Sequence, residues 1–422
     1  MSLEDTFSES MKGFNIKPTQ KIAIGVSGGS DSLALVLLAN SWAKMPIVAI
    51  TVDHKLRKES EYEAQQVSRW LEKYNIQHHI LNWEGDKPDS NIQSNARDAR
   101  YKLMTEFCKA NKIKNLLIAH NKEDQAETLL IRLMRGSGLE GLCGMSDEVI
   151  INQTRTLRPL LDTKKEDLRS YLRSLRQGWV EDPSNENDKF TRVQVRNFIK
   201  SSPEPDLLVS RLVNTCSNLQ KSNNYISEKI SQEMAKIVDI KPEGYCILDI
   251  KEFKSLHEES AVKILSKLIK YTGGDYYKPR YEKICNLYEK ITSGEYNATL
   301  GGCEIFQSKK QSEENKLLIV KELSATASPI NIFSESSIVW DGRFDCSLKR
   351  VEENIYSVCA IGENGLSTIT KDSKELKKLK VPKKVIFTLP ALKTLENIVA
   401  APHIGYYADK KYENLFKAEF RI

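Results

Sequence analysis

Polar residues interrupt an apolar run near the N-terminus, and their types suit phosphate binding. The run AIGVSGGSDSLALVLLA occupies positions 23–39, with SGGSDS at 27–32. Periodicity predicts a buried strand over 21–26 and a helix over 31–44. The break then lies at a helix N-terminus, where unpaired backbone N–H groups and the helix dipole attract anions. The stretch therefore predicts a phosphate-binding turn.

The side chains of this turn support phosphate binding and suggest a cation. Gly28 and Gly29 let the backbone approach a phosphate, and hydroxyl donors come from Ser27, Ser30 and Ser32. The usual mononucleotide loop ends in G-K-[ST], but Asp31 takes the place of the lysine here. A carboxylate beside phosphate oxygens requires a cation between them, which indicates Mg²⁺. The simpler alternative is a glycine turn in which Asp31 only favours a helix start.

Two polar residues follow the second predicted strand. VDHKLR at 52–57 places Asp53 and His54 at its end. Strand ends of this kind line the ligand crevice of parallel sheets. The spacing leaves open whether these residues bind a ligand or serve as a helix cap and a core residue.

Pairs of arginines recur on predicted helices. Arg97 and Arg100 are three apart in NIQSNARDARY, and Arg192 and Arg196 are four apart in EDPSNENDKFTRVQVRNFI. Such spacings place each pair on one helical face. The functional interpretation is a guanidinium fork on phosphate or a base edge, and the alternative is a solvated face.

Acidic residues cluster after the fourth predicted strand. In IAHNKEDQAETLL, His120 ends the strand, and Asp124, Glu127 and Thr128 share a helical face. Carboxylates there favour the helix dipole, which is the simple explanation. The alternative is that they hold a cation, either a metal or an ammonium group. GSGLEGL follows and predicts a flexible loop over the site.

The surrounding pattern predicts an α/β fold. Strands are expected over 21–26, 46–52, 78–83 and 115–119, and helices over 31–44, 59–74, 94–111, 123–135 and 163–177. The last helix opens with Thr163 and Glu166 at capping-box spacing. Alternation of this kind predicts a doubly wound, Rossmann-like parallel sheet. A mostly helical domain and a small mixed α+β C-terminal domain should follow.

Changes in pattern suggest domain boundaries. We expect a catalytic domain over 1–205, a mostly helical substrate-binding domain over 206–310, a linker over 311–334 and a C-terminal domain over 335–422. TLGGCEIFQSKKQ is typical of a strand pair, and the polar runs SKKQSEENK and SATAS suggest the linker.

Composition sets limits on the class of protein. The chain has 422 residues, 40% hydrophobic and 28% charged, which is typical of a globular protein of several domains. No apolar run reaches the ~20 residues needed to cross a bilayer, and the start lacks signal-peptide features. We therefore expect a cytoplasmic protein without a membrane partner. The net charge of +6 permits a nucleic-acid partner. The eight cysteines form no C-x-x-C pair, so we expect reduced thiols.

The motifs together resemble known enzymes. SGGSDS resembles the PP-loop ATP pyrophosphatases, whose signature is SGGxDS. VDHKLR, the AR-x-x-RY segment, AHNKEDQAET, RLMRGSGLEGL, RPLL and EDPSN follow in the order of the tRNA(Ile)-lysidine synthetase family, over roughly residues 20–200. The C-terminal half resembles the long members of that family more loosely. No single motif after the first is specific, but the ordered set is.

The resemblance implies a reaction. It would join L-lysine to C2 of the wobble cytidine in the CAU-anticodon isoleucine tRNA, through an adenylated cytidine, with ATP giving AMP and pyrophosphate. The turn at 27–32 and Asp53 would bind ATP, and Asp31 would hold Mg²⁺. Asp124 and Glu127 would hold lysine, and His120 is the candidate base.

The resemblance also implies tRNA contacts. Catalytic roles for Arg100 and Arg192 would be to hold RNA phosphates or the activated base, with Arg97 and Arg196 as further contacts. Three lysines in the last domain would add a phosphate-contacting surface: Lys374, Lys377 and Lys378. A solvated helix face is the alternative for the lysines. Monomer and homodimer are both open.

Three other functions compete. A PP-loop tRNA thiolase acting on cytidine or uridine would be expected to use paired cysteines, which the chain lacks. Ligation of a small metabolite would not need a lysine-rich terminal domain. A degenerate RNA-binding protein would be expected to lose Asp31 or the acidic pair, and both are present.

Overall fold

The computed structural model of the chain describes most of its length. The described residues are 2–55, 60–84, 92–181, 191–274, 279–308, 314–350, 355–372, 381–395 and 397–421. They form two compact units, Met1–Tyr225 and Ile226–Ile422.

A largely parallel sheet forms the centre of the first unit. Its strands are β1 (Ile22–Gly25), β2 (Val48–Asp53), β3 (Gln77–Asn82), β4 (Asn115–Leu117), β5 (Glu148–Ile151) and β6 (Thr154–Leu157). The order is β3-β2-β1-β4-β6-β5, and only β5 runs antiparallel to its neighbour in this sheet. The chain leaves β1 towards β2 on one side and β4 lies on the other, so a ligand crevice is expected beyond the ends of β1 and β4.

Helices cover both faces of this sheet. Those packed against its strands are α1 (Leu3–Gly13), α2 (Ser30–Trp42), α3 (Ser60–Glu72), α4 (Ile92–Ala110) and α7 (Lys165–Ser174). The unit also contains α5 (Lys122–Met134), α6 (Leu139–Leu142), α8 (Thr191–Lys200) and the first part of α9 (Pro205–Ile237), whose last residues belong to the second unit. Ile22 and Ile24 pack in one core cluster with α1, α2, α3 and α7, whereas Ala23 packs in another with α4. This alternation follows from the period of two in a strand. The predicted doubly wound α/β fold is confirmed.

One predicted helix start is wrong. The expected capping box of Thr163 and Glu166 does not form, because α7 begins at Lys165 and its N-cap residue, Lys164, makes no side-chain cap bond. The Lys165 N–H instead donates to the Glu123 carboxylate of α5 at 3.0 Å. A side chain distant in sequence therefore caps this helix.

A first antiparallel sheet and three helices begin the second unit. The strands, in the order β7-β8-β11-β10-β9, are β7 (Val238–Lys241), β8 (Tyr245–Asp249), β9 (Ala298–Leu300), β10 (Cys303–Gln307) and β11 (Lys316–Lys321). The helices are α10 (Ile250–Lys254), α11 (Glu258–Gly273) and α12 (Tyr281–Ser293). The strand pair expected around 299–311 is present as β9 and β10.

The predicted linker contains a central strand. β11 lies inside the expected linker 311–334, pairs with β8 and β10, and has buried residues from Leu317 to Lys321. The flanking polar runs hid the short apolar segment KLLIVK, so the linker assignment is wrong over this strand.

Two further sheets complete the second unit. The strands are β12 (Ile330–Ile332), β13 (Ser336–Trp340), β14 (Phe344–Leu348), β15 (Tyr356–Ala360), β16 (Pro390–Lys393), β17 (Ile398–Ala401), β18 (Tyr406–Tyr407) and β19 (Phe416–Phe420). They pair in the orders β12-β15-β16-β17-β18 and β13-β14-β19. The helices are α13 (Gly362–Asp372) and α14 (Lys383–Phe387), and 3₁₀ turns occur at Leu323–Ala325, Pro402–Ile404 and Lys410–Tyr412.

Candidate active site

The turn between β1 and α2 closes on itself through serine hydroxyls. The Ser27 N–H donates to Ser32 Oγ at 3.1 Å, and Ser32 Oγ donates to the Gly29 carbonyl at 3.0 Å. Gly28 has a φ of +88°, and a Cβ there would lie 3.0 Å from Val67 Cγ2. Both the backbone conformation and the available space therefore require glycine at position 28.

Asp31 lies beside this turn with a fixed orientation. Ser30 Oγ donates to Asp31 Oδ1 at 3.1 Å, and Asn121 Nδ2 donates to Oδ2 at 3.0 Å. Lys165 Nζ lies 4.0 Å from Oδ2. Burial raises the pKa of Asp31, while the Lys165 charge and the Ser30 hydrogen bond oppose the rise. The carboxylate is thus held at the edge of the turn, where phosphates are expected.

The donor set around Asp31 suits Mg²⁺ only together with a phosphate ligand. Over the described ranges, no group of three or more His, Cys, Asp or Glu side chains is placed to hold a metal ion. Mg²⁺ commonly binds through one or two carboxylates, with phosphate oxygens and waters completing its shell. Asp31 fits that pattern as a single carboxylate beside a phosphate-binding turn.

Asp53 ends β2 and is buried, at 4% exposure. Its Oδ1 accepts a hydrogen bond from the Lys55 N–H at 2.8 Å, and Lys55 has a φ of +50°. Its carbonyl accepts from the Trp83 N–H at 2.9 Å. These contacts shape the turn after β2, and the ATP contact expected of Asp53 stays a prediction.

The N-terminus of α5 joins the phosphate turn to the acidic residues. Asn121 is the N-cap: its Oδ1 accepts from the Asp124 N–H at 2.9 Å, and the Asn121 N–H donates to Asp124 Oδ2 at 3.1 Å. The Asn121 amide group also donates to Asp31. One buried side chain therefore ties the two carboxylates into a single crevice.

Asp124 keeps one oxygen accessible to a cation. Its side chain is 19% exposed, and Arg192 Nη2 lies 3.5 Å from Oδ1. Burial raises the pKa of Asp124, and the Arg192 charge opposes this rise. The other oxygen already accepts the backbone N–H at the helix cap. Oδ1 is therefore the better placed acceptor for an ammonium group.

Glu127 is held between two guanidinium groups. Its side chain is 2% exposed, Arg192 Nε donates to Oε2 at 2.8 Å, and Arg196 Nε donates to Oε1 at 2.7 Å. The spacing on α8 that placed both arginines on one face thus directs them to one carboxylate. Because each oxygen accepts a short charge-assisted bond, the arrangement favours a positioning role for Glu127 over lysine binding.

His120 lies between β4 and α5, not at the end of the strand as predicted, and its ring contacts an arginine. Arg158 Nε donates to His120 Nδ1 at 3.2 Å, which leaves the proton of the neutral ring on Nε2. Burial lowers the pKa of His120 well below its usual value, and charges of Arg158, Arg97, Arg100 and Arg192 act in the same direction. His120 is consequently a weak base and a good hydrogen-bond donor. Arg158 is the first residue of the RPLL motif, whose sequence alone does not indicate this contact.

The predicted RNA-contacting arginines of α4 lie close to an aromatic ring. Arg97 and Arg100 lie 5.5 and 5.7 Å from the centroid of the Tyr101 ring. Burial lowers the pKa of Arg100, and its charge acts on His120. Both arginines therefore belong to the positive cluster around the crevice.

Two side chains that sequence reasoning passed over hold the loop after α5. Gln125 Nε2 donates to the Met145 carbonyl at 2.8 Å, and the Met145 N–H donates to Gln125 Oε1 at 2.6 Å. Arg132 Nη1 donates to the carbonyls of Gly141 and Gly144 at 2.8 and 2.5 Å. The loop expected to be flexible is therefore tethered. Gln125 belongs to the DQ motif and Arg132 to the R-x-x-R motif, but the local sequence pattern does not predict which groups these side chains contact.

Other predicted features have different outcomes. Lys374, Lys377 and Lys378 lie outside the described residues, so their predicted RNA contacts stay predictions. All eight cysteines are free thiols, as expected. Within the part of the chain that the structure describes, every helix is too short or too polar to span a bilayer.

Comparison with known proteins gives consistent matches. The profile of the PP-loop domain matches residues 3–202. The tRNA(Ile)-lysidine synthase of Wolbachia sp. subsp. Brugia malayi (strain TRS) is 34% identical, over 98% of this chain and 95% of the relative. The tRNA(Ile)-lysidine synthase of Orientia tsutsugamushi (strain Boryong) is 32% identical, over 97% and 95%.

A solved structure is similar over part of the chain. The U34-tRNA thiolase NcsA from Methanococcus maripaludis, solved with its [4Fe-4S] cluster, has 19% identity and a TM-score of 0.45. The match covers 52% of this chain and 78% of that protein.

Proposed function

The chain belongs to the tRNA(Ile)-lysidine synthases, and from that premise we propose that it ligates L-lysine to the wobble cytidine of the CAU-anticodon isoleucine tRNA. ATP is consumed and AMP and pyrophosphate are released. The observation that carries the proposal is the bridge made by Asn121, which ties Asp31 of the phosphate turn to Asp124. Nucleotide activation and capture of an amine then share one crevice.

The first half-reaction uses the turn at 27–32. The O2 oxygen of cytidine attacks the α-phosphorus of ATP, and the bond to the β,γ-pyrophosphate breaks with its electron pair on the leaving oxygen. Backbone N–H groups at the start of α2 point to the phosphates and stabilise the developing charge. Asp31 would hold Mg²⁺, which would neutralise part of that charge.

The second half-reaction uses α5. The lysine ε-nitrogen attacks C2, the C2–O2 bond breaks, and the oxygen departs as part of AMP. Lysine has an unperturbed pKa of about 10.4, so the attacking amine must lose a proton. Asp124 Oδ1 accepts from the ε-ammonium and takes this proton, because burial has already raised the pKa of that carboxyl.

The positive cluster orients the adenylated cytidine. Glu127 fixes Arg192 and Arg196, and their remaining donors would bind phosphate or base oxygens of the substrate. His120 Nε2–H adds a neutral donor, since Arg158 occupies the other ring nitrogen. We assign His120 this donor role rather than the base role expected from sequence.

The thiolase alternative is not favoured. The curated relatives matched over nearly the whole chain are named for lysidine formation. The described thiols are mostly buried, and burial raises the pKa of Cys108 to about 12. A thiol of that kind is a poor nucleophile at neutral pH.

Transfer of labelled lysine to tRNA tests the proposal. Label that appears only with ATP and Mg²⁺, and resists mild base that strips aminoacyl esters, is the expected result. Asp124→Asn should lower transfer strongly, whereas Asp206→Asn, at an acid 85% exposed on the same unit, should not. Pyrophosphate release without lysine incorporation in the wild type would refute the choice of lysine.

A further inference from the structure

The phosphate turn contains no basic residue. Positions 27–32 read SGGSDS, and the site of the lysine in the usual mononucleotide loop is occupied by Asp31. The β- and γ-phosphates of ATP carry most of its negative charge. Positive charge beyond that of a metal ion must therefore come from another element.

Helix α7 presents such a charge beside the turn. Lys165 Nζ lies 4.0 Å from Asp31 Oδ2, which is longer than a hydrogen bond, and its side chain is 35% exposed. Its backbone N–H, rather than its ammonium, binds Glu123. Within the described ranges, the ammonium group makes no hydrogen bond, so its donors are open to a ligand.

The other cations that act on Asp31 each pair with a carboxylate elsewhere. Charges of Lys165, Arg169 and Arg196 all favour the ionised Asp31. Arg169 pairs with Glu181 at 3.0 Å, and Arg196 pairs with Glu127 at 2.7 Å. Each arginine therefore already pairs with a carboxylate through its guanidinium, although Arg169 Nε has no hydrogen-bond partner, whereas none of the described contacts of the Lys165 ammonium is a hydrogen bond.

We propose that Lys165 supplies the cation that the turn lacks and donates to β- and γ-phosphate oxygens of ATP. As the bond between the α-phosphorus and its bridging oxygen breaks, the electron pair and charge pass to pyrophosphate, and the Lys165 ammonium stabilises them. The inference rests on the proposed ATP chemistry, but it is independent of lysine and tRNA as the other substrates.

Equilibrium binding of two nucleotides tests the assignment. Calorimetric titration with the non-cleavable analogue α,β-methylene-ATP and with AMP, both in Mg²⁺, would be compared for the wild type, Lys165→Ala, Lys165→Arg and Lys164→Ala. Lys164 is the matched control, since its ammonium pairs with Asp206 at 2.9 Å. Because Lys165→Ala loses one charge-assisted bond, its Kd for the analogue should rise about tenfold or more relative to the wild type. AMP binding should change less than about twofold, and Lys165→Arg should retain most of the analogue affinity.

Several results would overturn the inference. They are unchanged analogue binding by Lys165→Ala, equal loss for AMP and the analogue, or the same loss in Lys164→Ala. A wild type that binds the analogue no more tightly than AMP would also overturn it. If Lys165→Ala does not fold, Lys165→Met answers the same question with the alkyl chain kept. Failure of lysine transfer in the wild type would refute the proposed substrate alone, because these titrations contain neither lysine nor tRNA.

Discussion

Replacing Glu127 by glutamine separates two roles for this residue. The change keeps the shape of the side chain and removes its charge. If Glu127 positions Arg192 and Arg196, the variant should form lysidine with a kcat lowered about tenfold or more, and its KM for lysine should stay within about twofold. If Glu127 binds lysine, the KM for lysine should rise instead.

The expected loss of stability follows from the contacts. Breaking a buried ion pair by removing one partner costs about 3–5 kcal/mol. The side chains of Arg192 and Arg196 are 36% and 25% exposed, so water recovers part of that cost. We expect about 2–3 kcal/mol, which lowers the melting temperature by roughly 4–12 °C for a unit of this size. That is smaller than the ~5–15 kcal/mol by which domains are typically stable, so the variant should fold.

Thermal unfolding and steady-state kinetics on the same preparations give both quantities. Glu166→Gln is the matched control, because Glu166 is 63% exposed and pairs with Arg173 at the surface. A double-mutant cycle of Glu127→Gln with Arg196→Gln should show a coupling of about 1–3 kcal/mol. Strict additivity in that cycle, or a selective rise in the KM for lysine, would refute the positioning role.

Three further substitutions test separate parts of the structure. Gly28→Ala must place a Cβ against the Val67 side chain at a φ of +88°. Calorimetry should therefore show ATP binding weakened by about tenfold or more. Unchanged binding would contradict the geometry of the turn. Burial, helped by nearby His79, lowers the pKa of His78 from 6.5 to about 4, so the stability it contributes is full above pH 6.5 and is lost as pH falls towards 4. Urea unfolding at pH 7 and at pH 4.5 should therefore show that acidification lowers the free energy of unfolding of the wild type about 2 kcal/mol more than that of His78→Gln. An equal loss in the two proteins would refute this. Arg158→Met removes a charge that lowers the pKa of His120, so an NMR titration of the His120 ring should show its midpoint at higher pH than in the wild type. An unmoved midpoint would argue against their coupling.

Local chemistry was readable from the sequence where neighbouring residues determine it. The need for glycine at 28, the helix predicted from 31 and observed from Ser30, and the shared face of Arg192 and Arg196 all follow from short-range rules. The carboxylate that binds those arginines could not be predicted from such rules, because Glu127 lies about 65 residues earlier in the chain and contacts them only when α5 and α8 pack.

The elements that sequence reasoning misjudged depend on distant contacts. Glu123 caps α7 from another helix, so the local T-K-K-E pattern misled. β11 is a central strand only because β8 and β10 pair with it on both sides, while polar flanks made its surroundings look like a linker. The hairpin of β5 and β6, short and only partly apolar, gave no periodic signal strong enough to predict.

Nucleoside analysis of the modified tRNA tests the central claim most directly. A CAU-anticodon isoleucine tRNA transcript would be incubated with the protein, ATP, Mg²⁺ and lysine, digested to nucleosides and analysed by mass spectrometry. We expect the wobble cytidine to gain one lysine and lose one water, with one AMP released per modified base. An unmodified cytidine, or one that carries sulfur in place of oxygen when a sulfur donor is supplied, would contradict it.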